Sequence, residues 1–394
     1  MLVTVKLGNQ VIQRCDSKGE ISTERARNLL KYAKSGMPSE VLDLLLQNDR
    51  KTMIQMRGCL NPEFFWEDKV LDWQLQSLLN LNVKPNFSER FANEFFPTGY
   101  IAGELYVLSG ISGGGKTSMA VQIATTLASG FNVFSEVKSG DKATVIYLTL
   151  EQNKRQIQAR IMSNLMATLF GKTDLHFSKI LSGNQLFSKD FQKALMAFSM
   201  LEDRLRILDF DCFGGSPTVD QLMNVVSDEL EKINDDEKRL LIVDRYENII
   251  GASSNVDDSV ARELKNFAIQ HDIPILLQCQ LSKNAIEAAK TSDGKFNLDK
   301  ISASSLKGTS GLEHQCSNVM ILVPDLRLAD KDQKVVTVIQ PKNRYGLNQA
   351  IKLNFLGSCG LFTEFVETRG RKKKEDETKE KEFDRKTTIY KVKY

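Results

Sequence analysis

Between about residue 100 and residue 366, short apolar runs alternate with longer segments of helical spacing. The runs Leu105–Leu108, Thr144–Leu150, Leu205–Leu208, Leu240–Val243 and Ile273–Leu277 predict strands of a parallel sheet covered on both faces. The stretches between them are long enough for crossover helices. After Asn318 the runs crowd together, at Val319–Val323, Val335–Gln340, Ile351–Phe355 and Leu361–Phe365. That spacing predicts an antiparallel extension. The expected fold class is α/β, with a mostly parallel central sheet and a C-terminal antiparallel extension.

Outside that region the pattern changes. After a short strand-like start, Ser22–Ala33 and Ser39–Leu46 each place apolar residues at helical spacing. Phe64–Leu81, with Phe65, Trp66, Val70, Leu71, Trp73, Leu75, Leu78 and Leu79, reads as an amphipathic helix that Lys84-Pro85-Asn86 stops. Its aromatic residues suit either a local core or a linker helix packed on a neighbouring subunit. Beyond Thr368 the chain is charged and nearly devoid of apolar residues, so a disordered tail is expected, with Arg371–Lys374 solvated. The organisation read from these shifts is a small helical region (1–62), a linker helix and linker (63–90), the alternating domain (91–366) and the tail (367–394).

Composition narrows the class only a little. Of 394 residues, 41% are hydrophobic and 26% charged, ordinary for a globular protein. A net charge of +3 is too small to argue for nucleic acid without local evidence. Six cysteines without a C-x-x-C pair argue against a zinc ribbon or a disulfide framework, and suit a reducing compartment. The first residues lack a signal peptide's apolar core, and no apolar stretch approaches the ~20 residues that span a bilayer. A soluble, cytoplasmic protein without a membrane partner is expected; if phage-encoded, it would act in the host cytoplasm.

Chemistry enters at residues 110–118. Gly110-Ile-Ser-Gly113-Gly114-Gly115-Lys116-Thr117-Ser118 satisfies G-x-x-x-x-G-K-[ST], with an apolar strand before it and helical spacing after it. In that setting the glycines turn backbone N–H groups around a polyphosphate, and the helix N-terminus adds partial positive charge. Lys116 is expected on the β/γ-phosphates and Thr117 on Mg²⁺. A nucleoside triphosphate, ATP or another, is the implied ligand.

Three further strand ends supply polar groups. Leu240–Asp244 is an apolar strand closing on a carboxylate that can support Mg²⁺. Thr144–Glu151 closes another, and strand C-termini in a parallel sheet converge on the ligand edge, where Glu151 could polarise a water. A third strand, Leu276-Leu-Gln278-Cys-Gln280, offers an amide able to report the γ-phosphate.

In order and spacing these elements resemble the RecA-like motor domain of DnaB-type hexameric replicative helicases, including phage relatives. The resemblance covers roughly residues 90–366. Phe96-Pro-Thr-Gly-Tyr-Ile-Ala-Gly-Glu-Leu-Tyr106 is similar to the family's lead-in, and Leu148–Glu151 with Arg160 to its catalytic-glutamate strand and following helix. Gln278-Cys-Gln280-Leu-Ser282 stands where the family carries a glutamine sensor, taken here as Gln280. Ser305-Leu-Lys307-Gly308-Thr309-Ser310-Gly-Leu-Glu313 resembles its DNA-contacting loop. Gln340-Pro-Lys342-Asn-Arg344-Tyr-Gly346 resembles its K-x-R-x-G element, which carries an arginine finger and a companion lysine. The resemblance implies a RecA-like P-loop NTPase core in a homo-hexameric ring, with Mg-ATP between subunits, single-stranded DNA in the channel and 5′→3′ movement. A primase, helicase loader or polymerase is an implied partner class.

The residue types fit those roles. An arginine acting in trans on a neighbour's γ-phosphate requires an oligomer, and Arg344 lies far along the chain from the phosphate loop. Lys307, Gly308, Thr309 and Ser310 combine a cation, hydroxyls and close backbone approach, which suits a phosphodiester backbone of any sequence. The polar segment from Lys283 to Lys300 is expected to be flexible without DNA. Phe355 is expected in the core rather than against a base. Two departures stand out: Arg245-Tyr-Glu247 follows Asp244 where relatives usually carry apolar or amide residues, and the N-terminal region does not match the usual helical collar. A filament-forming RecA-superfamily recombinase is the alternative, and a regulatory ATPase acting on proteins a third.

Overall fold

The computed structural model describes residues 83–365, with short breaks at 86–87, 89, 133–140, 185–186, 235–236, 253–258, 293–294, 308–309 and 326–331, together with two strands near the N-terminus. Those strands, β1 (Val3–Leu7) and β2 (Gln10–Arg14), pair antiparallel. The expected helices at Ser22–Ala33, Ser39–Leu46 and Phe64–Leu81 lie outside the described residues, as does the tail from 366 onward.

The alternating region folds as its pattern dictates. In chain order it holds β3 (Leu105–Gly110), α1 (Lys116–Ser129), β4 (Thr144–Thr149), α2 (Lys154–Phe170), α3 (Phe177–Leu181), α4 (Lys189–Ser199) and β5 (Leu205–Asp209). Then come α5 (Val219–Leu230), β6 (Arg239–Asp244), α6 (Ser259–Gln270), β7 (Ile275–Gln278), α7 (Lys283–Ala289) and α8 (Ser310–Gln315). Four strands close it: β8 (Asn318–Asp325), β9 (Gln333–Asn343), β10 (Ala350–Leu356) and β11 (Leu361–Glu364). Every expected strand is present, with ends shifted by a residue or a few. Among the described residues no helix is long and apolar enough to cross a membrane.

Nine strands form one sheet in the order β11-β10-β9-β8-β3-β7-β6-β4-β5. From β8 to β5 all pairings are parallel, and β8 to β11 pair antiparallel. Every residue of β3, β4, β6 and β7 is buried, because helices cover both faces. On one face α1 and α2 contribute Met119, Ile123, Leu127, Ile157 and Leu165. On the other, α5 and α6 contribute Leu222, Val226, Leu264 and Phe267. Burial of this kind stabilises by about 25 cal/mol per Å² of apolar area, so sheet and helices stand or fall together.

Two local features set the edges of the domain. Val83 bridges Tyr100, and Phe96, Tyr100 and Tyr106 pack edge-on with ring centroids 4.9–5.7 Å apart. The segment after β7 differs from the flexible loop expected of it. The Ser282 side chain accepts from the Ala285 N–H and starts α7, and Ala289 is buried at its far end. A hydroxyl cap and one buried methyl organise a sequence whose polarity alone suggests a loop.

Candidate functional site

The crossover topology brings the C-terminal ends of β3, β4, β6 and β7 to one edge, where a cleft of about 370 Å³ opens. Ser112, Gly113, Gly115, Lys116, Thr117 and Ser118 line one wall. Glu151, Gln152, Asp244, Arg245, Gln278 and Gln280 face them. The volume lies within the usual range for small-molecule sites.

The glycine loop takes its shape from close packing. A Cβ on Gly110 would lie 2.7 Å from the Leu322 carbonyl oxygen, so only glycine lets the loop leave β3 against β8. Gly115, at φ +91°, turns the chain into α1, and a Cβ there would meet the Phe362 ring at 2.7 Å. Phe355 and Phe362, stacked at 4.4 Å, form the floor beneath that turn. Phe355 is therefore core, as expected, although its edge reaches the cleft. Gly114 is buried within the loop, its N–H donating to the Ile111 carbonyl. No acidic residue occupies the first turn of α1, so the partial positive charge of its N-terminus is left for a ligand in the cleft.

Lys116 is the loop's cation. Its Nζ donates to the Gly110 carbonyl at 3.0 Å, folded back along the loop. Burial lowers its pKa, and nearby Asp244 opposes that shift. A buried ammonium leaning on one carbonyl favours an incoming anion strongly.

Asp244 belongs to the same cleft and is 2% exposed. Register pairs Asp244 with Thr149 on β4 and with Gln278 on β7. The Tyr147 hydroxyl donates to its Oδ2 at 3.0 Å, and Thr117 and Gln278 also hydrogen-bond it. Burial nonetheless pushes its pKa up to about 6, with Glu151 adding to the rise. A buried carboxylate destabilised in this way, beside the Thr117 hydroxyl, is suited to a hard divalent cation, for which oxygen donors are the preferred ligands. Among the described residues no group of three or more His, Cys, Asp or Glu side chains converges, so phosphate and water would supply the other ligands.

The remaining expected residues divide. Glu151 stands exposed at the cleft mouth, two residues beyond β4, its Oε1 accepting from Arg245 Nη1 at 3.0 Å. Gln280 is half-buried and also lines the cleft. Gln278, two residues earlier, is the amide in hydrogen-bonding contact with Tyr147 and Asp244, which spacing alone does not distinguish. Tyr147 and Arg245 are site residues that the sequence does not single out. Tyr147 carries no motif; Arg245 is visible only as a departure after Asp244.

Lys342 and Arg344 do not line this cleft. Arg344 occupies the turn between β9 and β10, and its Nη2 donates to the His314 carbonyl at 2.6 Å. Lys342 Nζ donates to the Glu313 carbonyl. Both cations thus lie on the last turn of α8, where unpaired helix carbonyls attract positive charge. Lys307 is exposed, just ahead of α8. Gly308 and Thr309 lie outside the described residues, and Ser310 is the first residue of α8.

Known proteins share this arrangement. The family model of the DnaB-like helicase C-terminal domain matches residues 94–364. A solved helicase ATPase domain superposes with a TM-score of 0.59 at 17% identity, covering 78% of this chain and 100% of that one. A DnaB-like replicative helicase, described with its interactions with primase, superposes with a TM-score of 0.58 at 16% identity, over 87% of this chain and 75% of that one. At these identities the two structures speak for the fold. No curated protein matches the chain.

Proposed function

We propose how this chain works from the premise that it belongs to the DnaB-like helicase family, to which residues 94–364 match. It is a replicative DNA helicase driven by nucleotide hydrolysis. A recombinase, the alternative raised by the phosphate loop alone, is not favoured by that match.

The finer reading is a ring of six copies that translocates 5′→3′ on single-stranded DNA, with ATP bound between neighbours. Gly110 and Gly113–Ser118 cradle the phosphates, and Lys116 exchanges the Gly110 carbonyl for phosphate oxygens. Thr117 and Asp244 hold Mg²⁺. When bound, Mg²⁺ bridges phosphate oxygens and offsets their charge. Glu151 orients the attacking water and accepts its proton. Gln280 senses the γ-phosphate, with Gln278 fixing Asp244 behind it. Lys342 and Arg344 complete the site of the adjacent copy, and Lys307 to Ser310 grip the DNA backbone. A primase, loader or polymerase fits the same reading as a partner class.

One observation carries the ring: the two cations of the β9–β10 hairpin rest on α8 and not in the cleft beside Lys116. The cleft's own arginines are engaged elsewhere. Arg245 is paired with carboxylates, and Arg160 donates to Gln152 while lying over the Phe177 ring. A phosphoryl-transfer transition state needs further positive charge, and a neighbour can supply it. Unwinding of forked DNA tests the reading. Strand separation on a fork with a 5′ tail and none on a 3′ tail is the expected result. No separation on either fork, with ATP hydrolysed, contradicts it.

A further inference from the structure

The departure after Asp244 has a geometric consequence. Arg245 reaches two carboxylates at once: Nη1 donates to Glu151 at 3.0 Å, and Nε lies 3.4 Å from Glu247 Oε2. The Glu247 side chain is 5% exposed, Arg245 20% and Glu151 46%, so the Arg245–Glu247 pair is the fixed part and Glu151 the movable end. The other Glu247 oxygen accepts from the Gln280 backbone N–H. The Gln280 carbonyl in turn accepts from the Lys307 N–H at 2.7 Å, alongside the Leu281–Leu306 bridge. A continuous set of charge-assisted and backbone hydrogen bonds thus runs from the cleft mouth to the residue that opens the 307–310 loop.

We infer that Arg245 is a positioning residue for hydrolysis: it aims Glu151 and, through Glu247 and Gln280, ties that aim to the placement of Lys307. Arginine suits the task because its planar fork addresses two carboxylates from a preset geometry, which a lysine cannot reproduce. A shift of the Lys307 segment on gripping a strand pulls on Gln280, and the nearly buried Glu247 transmits the shift to Arg245. Glu151 then changes its angle to the γ-phosphate, so DNA occupancy sets turnover. This rests on the roles proposed above for Glu151 and Lys307.

The test is ATP turnover by the full-length protein with and without oligo-dT, for wild type, Arg245→Gln, Glu247→Gln and Arg245→Lys. Affinity for a fluorescent ATP analogue is measured alongside. Loss of the tie is expected to reduce the stimulation by oligo-dT about tenfold in both glutamine variants, with analogue affinity changed less than about twofold. Arg245→Lys should recover basal turnover more than it recovers stimulation. Stimulation equal to wild type in both glutamine variants overturns the inference. Where Arg245→Gln fails to fold, Glu247→Gln decides alone by the same criterion. Should oligo-dT leave wild-type turnover unchanged, the DNA-motor reading falls, and this inference with it; stimulated wild type with unaltered variants overturns the inference alone.

Discussion

Asp244 and Gln278 stand side by side in register at the ends of β6 and β7, and both hydrogen-bond the Tyr147 hydroxyl. The hydroxyl donates to the carboxylate at 3.0 Å and accepts from the amide at 3.3 Å. Three buried polar groups from three strands thereby satisfy one another under the cleft. Tyr147→Phe removes the shared hydroxyl while keeping the ring in place. The expected cost is about 1–3 kcal/mol in urea unfolding, the usual range for stranding buried polar groups. Unchanged stability would show that water replaces the hydroxyl there.

Proton and metal compete at Asp244. Its pKa in the folded chain, about 6, lies above the ordinary value of 3.8, so the folded state binds this proton more tightly than the unfolded state. For the ligand-free protein, this group's contribution to stability grows as pH falls through 6 and diminishes as pH rises. Mg-nucleotide binding follows the opposite sign, because a ligating carboxylate must first lose its proton. Affinity is expected to be about tenfold weaker at about pH 5 than at about pH 7, beyond the nucleotide's own titration. Asp244→Asn provides the reference and should lack this component; an equal pH dependence in the variant would assign it elsewhere.

Lys116→Ala is expected to abolish nucleotide binding. Removing a buried cation leaves the folded loop with no charge for the β/γ-phosphates, while relieving the ligand-free state of a desolvated ammonium. Calorimetric titration should show no measurable binding with an unchanged or higher melting temperature. Retained binding would mean that backbone N–H groups alone hold the phosphates.

Lys307→Ala separates DNA contact from chemistry. The side chain is exposed and away from the cleft lining, so its loss should weaken DNA-stimulated turnover more than basal turnover. A shallower salt dependence of DNA binding, by about one counterion, should accompany it. Equal loss of both activities would count against a backbone contact.

Much of this is legible from the chain. Apolar runs such as Leu240–Val243 make buried strands when helices flank them, and a carboxylate at such a run's end meets the ligand edge of a parallel sheet. Those grounds alone lead to Glu151, Asp244 and the glycine loop. What stays hidden depends on which strands become neighbours. β6 lies between β4 and β7, an order the sequence does not encode locally, so the Tyr147–Asp244–Gln278 contact cannot be read from it. For the same reason the sequence favours Gln280 as the amide of interest, although Gln278 is the one joined to Asp244. Arg245 stands out only as an unusual residue, because its double ion pair needs the cleft to be assembled. The cap that turns Lys283–Ala289 into a helix needs only Ser282, a signal that polarity obscures.

The trans role of Arg344 is open to a decisive comparison. Arg344→Ala alone should bind nucleotide nearly as wild type does while turning over about 10³-fold more slowly. Lys116→Ala alone should not turn over at all. Mixed in equal amounts, the two variants create interfaces that join an intact Lys116 to an intact neighbouring Arg344, about a quarter of all interfaces on random closure of a ring. ATP hydrolysis by the mixture, well above the sum of its parts, is the result expected of a site completed by the adjacent copy. Hydrolysis no greater than that sum, in mixtures shown to contain both variants in one oligomer, would contradict it.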